Sequence, residues 1–148
     1  MKTTLIVLAA VVILILISLA QKSHTPPKLG LKEGRFEPCR YSSNCVNSMA
    51  RDESAITPIG VDGDALRTWS LMPGLITAMG GQIEQKGDHY LWATFRSRWL
   101  GFVDDVELSL DEDNKAIHVR SSSRVGRSDF QVNRKRVEQL RERVLSAR

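Results

Sequence analysis

The stretch R-S-S-S-R-V-G-R-S-D-F-Q-V-N-R-K-R, Arg120 to Arg136, passes from a strand into a helix through a polar, arginine-rich turn. Just before and into it, Ala116 to Ser122 runs with period two, Ile117 and Val119 on one face and His118 and Arg120 on the other. After it, Val137, Leu140 and Val144 fall at i, i+3 and i+7, one face of an amphipathic helix. The stretch therefore marks where a sheet ends and a helix covering it begins.

Working outward, the same alternation recurs upstream. Leu91, Ala93 and Phe95 alternate with Tyr90, Trp92, Thr94 and Arg96, and Val106, Leu108 and Leu110 alternate with Asp105, Glu107 and Ser109. A shorter strand, Gln82 to Gln85, turns at Lys86-Gly87-Asp88, and Asp111 to Lys115 supplies the turn before the last strand. Connections this short pair strands antiparallel. Further upstream, Asp62 is placed to cap a helix using Ala65, Leu66 and Trp69; Pro73 is expected to interrupt it and begin a second helical turn ending at Gly80-Gly81. The expected fold class is α+β: about four antiparallel strands covered on one face by two helices, in two layers.

The chain opens differently. Thr3 to Ala20 is an uncharged run of 18 residues rich in Leu, Ile, Val and Ala, which as a helix reaches ~27 Å and suits a transmembrane anchor. Its apolar core, unbroken for about sixteen residues from Leu5, exceeds the roughly 7–15 of a cleaved signal peptide, although Ser18-Leu19-Ala20 carries small residues where a signal peptidase reads. The expected organisation is an anchor over 3–20, an extended tether over 21–35 containing Pro26-Pro27, and a single domain over 36–148. Flanking charge leaves the orientation open, with Lys2 before the run and Lys22, Lys28 and Lys32 after it.

Cys39 and Cys45 bear on that orientation. They lie close together without a second thiol pair or a nearby histidine to complete a zinc site. A disulfide is the better reading than two free thiols; it would contribute roughly 2–3 kcal/mol by loop closure and persist in an oxidising compartment. The expected location of the domain is the extracytoplasmic, periplasmic side of a membrane.

The net charge is +4, yet it is not a nucleic-acid signature. Arg134 to Arg148 holds six basic and two acidic residues, so this segment carries the whole excess and the remainder sums to zero. No aromatics interleave with it, and an amphipathic helix with a solvated outer face accounts for it.

Three ordered motifs, C-R-Y-S-S-N-C-V-N-S from Cys39, G-F-V-D-D-V-E from Gly101, and V-R-S-S-S-R-V-G-R-S-D-F-Q-V-N-R-K-R from Val119, resemble the family of domains of unknown function numbered 1499 (DUF1499) over nearly all of residues 36–145. Arg40 stands where that family usually has proline and Gln131 where it often has glycine. The resemblance implies no established reaction, cofactor or substrate.

Function must come from the residues. Asp104 shares a strand face with Val106 and Leu108 and needs a partner there, for which Arg124 or Arg98 is available; Asp105 and Glu107 point the other way, toward Arg96, His118 or Arg120. Around the opening stretch, Arg120, Arg124, Arg127, Asn133 and Arg134 are the candidate binding residues: free amides at the start of the last helix, capped by Ser128 or Asp129 or by Asn133, would accept an anion beside those arginines. The competing reading is an internal network in which the arginines meet Asp104, Asp129 and backbone carbonyls. A catalytic alternative uses Asp105, Glu107 and His118 as a hydrolase. No H-E-x-x-H, G-x-S-x-G, dinucleotide or phosphate-loop motif is present, the three histidines lack metal-ligand spacing, and Ser121, Ser122 and Ser123 have no histidine placed by sequence to activate them. The leading expectation is a membrane-anchored binding module of the cell envelope, directed at an envelope protein or an anionic headgroup, with no cofactor or metal.

Overall fold

The computed structural model describes residues 1–147. Helix α1 (Lys2–Ser23) continues past Ala20 and is long and apolar enough to cross a membrane. After it come strands β1 (Cys45–Asn47) and β2 (Ile59–Gly60), helix α2 (Ala65–Ala78), strands β3 (Gln82–Lys86), β4 (Tyr90–Arg96), β5 (Val103–Asp111) and β6 (Ala116–Ser123), and helix α3 (Val132–Ser146).

The class is α+β, and the strands form one antiparallel sheet ordered β1-β6-β5-β4-β3, with β2 also pairing on β6. It has six strands where the sequence indicated about four. The two extra ones are too short to show a period, and tertiary pairing alone defines them: Cys45 to Asn47 lies opposite Ser122 to Arg120, and Ile59-Gly60 opposite Ile117-Ala116. Cys39 and Cys45 are joined by a disulfide at the start of β1. The β5–β6 turn closes because Asp111 accepts from the Asn114 backbone and side-chain amides while Lys115 takes a left-handed backbone.

Helices α2 and α3 cover one face. Leu91, Ala93, Val106, Leu108, Ile117 and Val119 meet Trp69, Met72, Ile76, Val137, Leu140 and Val144 in one apolar core. Two expectations for α2 are corrected. Its cap is Asp64, which accepts from the Arg67 amide, rather than Asp62; and Pro73 lies inside one continuous helix instead of dividing it. The reason is a balance of magnitudes: an internal proline costs ~3 kcal/mol, whereas Trp69, Met72 and Ile76, all buried, return roughly 1.5–3 kcal/mol each. Packing wins over local propensity.

The other sheet face, where the sequence places Asp105 and Glu107 opposite Arg96, His118 or Arg120, is buried too. Glu107 is 0% exposed, Asp105 3%, and Arg120 is also buried. Part of the cover comes from the end of α1 and the segment that follows it. The Gly30 amide donates to Glu107 (3.0 Å), the Ser23 hydroxyl accepts from the Val103 amide (3.1 Å), and Phe36 is buried. Residues 21–35, read from sequence as an extended tether, thus supply contacts to the sheet.

Candidate functional site

Strand alternation sorts Asp104, Asp105 and Glu107 of β5 onto two faces, and each of these three meets one arginine. On the helix-covered face Asp104 pairs with Arg136 (2.8 Å), not with Arg124 or Arg98. Arg136 also donates to the Asn133 side-chain oxygen Oδ1 (2.6 Å) and to the Ser121 hydroxyl, and lies 4.6 Å from the Phe95 ring centroid. The signal was in the sequence: Asn133 and Arg136 precede Val137, Leu140 and Val144 on one helical stripe, so Arg136 belongs to the inner face and not among the solvated residues.

On the opposite face, the guanidinium of Arg124 takes Asp105 in a fork, Nε to Oδ2 at 2.8 Å and an Nη to Oδ1 at 2.7 Å, and its other Nη donates to the Ser23 carbonyl at 3.0 Å. Trp92 Nε1 donates to the same carboxylate (2.8 Å). Glu107 accepts from Tyr90 Oη (2.7 Å), from the Gly30 amide and from Arg120 (3.1 Å), its cross-strand neighbour in the β5–β6 register. Burial, and after it the adjacent Glu107 carboxylate, hold the Tyr90 phenol well above its ordinary pKa.

Asn133 is the hub of the turn. It accepts from Ser121 and donates to the Asn44 carbonyl, to Ser123 and to Asp129, tying α3, β6 and the loop before β1. Asp129 accepts from the Gln131 and Asn133 amides. The amides expected to receive an external anion are therefore filled by the protein's own carboxylate, which is the stronger acceptor because it is already in place. Gln131 stands at the N-cap in a left-handed backbone, φ 66°, the conformation for which glycine is the natural residue.

The five candidate binding residues do not form one surface. Asn133 is buried, and Arg134 donates to the Ala55 carbonyl and lines a different cleft, beside Ser42 and Gln131. Arg120, Arg124 and Arg127 do come together. With Lys22, Arg40 and Tyr41 they line a cleft of about 320 Å³ next to Leu19 of α1, and no carboxylate is among its described lining residues. Arg120 and Arg124 are neutralised by Glu107 and Asp105, which leaves Lys22, Arg40 and Arg127 as the excess charge. Arg40 and Arg127 each lie over the Tyr41 ring, at 5.4 and 5.5 Å from its centroid. Sequence reading missed Lys22, Arg40 and Tyr41, because only the fold brings the end of α1 and the disulfide loop beside Arg127.

Asp105, Glu107 and His118 do not converge, so the hydrolase arrangement named from sequence is not built. The carboxylates are committed to arginines, and His118 turns to Ser48 (Nδ1 to Oγ, 3.1 Å) with Asp111 at 3.6 Å from Nε2. That line resembles a relay, but Ser48 Oγ accepts the Val119 amide (2.8 Å) and the Asp111 separation exceeds hydrogen-bond reach. It fastens β6 to the residues after β1.

A comparison with curated proteins finds no match. The model of a family described as a protein of unknown function (DUF1499) matches residues 35–144, a span that takes in the disulfide loop, the whole sheet and nearly all of α3. The chain belongs to the DUF1499 family.

Proposed function

We propose that the protein is a membrane-anchored binding module of the cell envelope whose ligand is an anionic phosphate-bearing headgroup, held in the cleft of Lys22, Arg40 and Arg127. The observation that carries this reading is the cleft's composition at its location: among its described lining residues are five cationic side chains and no carboxylate, at the end of the only described helix able to cross a membrane. Retention of α1 as the anchor is supported by its docking, since Ala20 and Ser23 are buried and Arg124 holds the Ser23 carbonyl. The Cys39–Cys45 disulfide supports an extracytoplasmic, periplasmic side for the domain.

The chemistry is direct. A guanidinium presents a planar fork to phosphate, and stacking over Tyr41 restricts both arginines before a ligand arrives, which lowers the entropy lost on binding. Arg120 and Arg124 contribute shape and orientation more than net charge. The test uses the full chain in zwitterionic micelles, with phosphatidylglycerol or phosphatidylcholine added. Phosphatidylglycerol is expected to raise the thermal midpoint, less so at high salt, and phosphatidylcholine to leave it unchanged. The double variant Arg40→Glu, Arg127→Glu should lose the response and keep the fold. Equal midpoints with both lipids for the native chain would refute the proposal.

A further inference from the structure

The end of the domain beside α1 carries apolar side chains that its own core does not use. Trp99, in the β4–β5 connection, is 89% exposed; Phe130, in the turn before α3, is 86% exposed; Leu100 is exposed beside Trp99. Both connections lie at the C-terminal end of α1. The Val103 amide donates to Ser23, Gly101 approaches His24, and Leu19 lines the same cavity of about 340 Å³ as Phe102 and Phe130. Phe130 moreover holds a left-handed backbone, φ 54°, a conformation that costs a residue with a side chain roughly 1–2 kcal/mol. Asp129 maintains the turn by accepting from the Gln131 and Asn133 amides. The domain thus bears a backbone cost to present an aromatic ring to the outside.

We infer that Trp99, Leu100 and Phe130 insert into the headgroup and upper acyl region of the bilayer that α1 spans, making a second membrane contact that fixes the domain's tilt. This rests on the membrane-anchored reading. The occupant follows from continuity: the exposed apolar surface of α1 runs to Leu19, and Leu19 meets the cavity edged by Phe102 and Phe130. Around it stand Arg98, 5.7 Å from the Trp99 ring centroid, with Lys22 and Arg127 on the neighbouring cleft. Aromatic rings between lipid and water with basic residues beside them are the arrangement by which proteins settle at that boundary.

The experiment reconstitutes the full chain into purely zwitterionic phosphatidylcholine bilayers and measures tryptophan quenching by lipids brominated near the headgroup. Trp69 is buried in the core and Trp92 is half-buried and bonded to Asp105, so Trp99 is the reporter. The expected result is strong bromolipid quenching that is lost in Trp99→Phe and retained in Arg40→Glu, Arg127→Glu. Because the bilayer is uncharged, failure of headgroup binding leaves this result standing. If the chain is embedded but Trp99 is quenched only by aqueous acrylamide, this inference is overturned while the anchor stands. If alkaline carbonate extracts the chain from the bilayer, both fail together.

Discussion

Replacing Glu107 by glutamine removes one charge and almost no volume from the most enclosed acidic group of the sheet. The native carboxylate receives Arg120 at 3.1 Å, Tyr90 at 2.7 Å and the Gly30 amide at 3.0 Å, with no exposed surface. Glutamine keeps an acceptor for Tyr90 and Gly30 but turns an amide N–H toward a guanidinium that is itself buried and, among the described residues, has no acceptor for its Nε. Stranding a buried partner in this way costs about 3–5 kcal/mol, a large share of the roughly 5–15 kcal/mol that hold a domain together. Arg120→Met strands the carboxylate instead and should cost a similar amount. The double variant leaves a neutral glutamine bonded to Tyr90 and Gly30 beside an apolar methionine, and should recover most of either loss. The assay is urea unfolding of the full chain in micelles, followed by tryptophan fluorescence for all four members of the cycle. A coupling energy near zero, with the two single losses simply adding, would refute the claim that this face is held by a buried ion pair.

Gln131→Gly should stabilise the domain by about 1 kcal/mol by relieving the left-handed backbone at φ 66°, visible as a rise of a few degrees in the thermal midpoint; an unchanged or lower midpoint counts against strain at this cap. Tyr90 sets an alkaline limit. Its raised pKa means that the neutral phenol favours the native state, so its contribution is complete below the ordinary tyrosine value of ~10 and is lost as pH rises above it. Absorbance at 295 nm should therefore show Tyr90 ionising only as the fold is lost, and Tyr90→Phe should flatten the alkaline decline in stability; ionisation of both tyrosines in the folded chain would contradict this.

Legibility differed between the two sheet faces for a physical reason. Leu91, Ala93, Val106, Leu108, Ile117 and Val119 announce a core because apolar alternation has one outcome, burial under a helix stripe. Tyr90, Trp92, Asp105, Glu107 and Arg120 carry no such signal, since polar residues in alternation usually meet water. Here the residues after α1 help to close over them, and each charge is matched before it is buried. Nothing in a polar strand pattern states whether a distant segment will cover it. The same limit hid the cleft, whose Lys22, Arg40 and Arg127 are far apart in the chain and share no period.

Local patterning along the chain carries an apolar helix at the start, period-two strands, an amphipathic last helix with the excess positive charge, and a pair of cysteines close enough to join. These follow from side-chain polarity and spacing along one chain. Which charges cancel emerged in three dimensions, because ion pairing depends on distances between segments. The fold turned the stretch from Arg120 to Arg136 from a row of cations into a fastening in which Arg120, Arg124 and Arg136 are neutralised in place, and it set Arg127 beside Lys22 and Arg40 along one cleft.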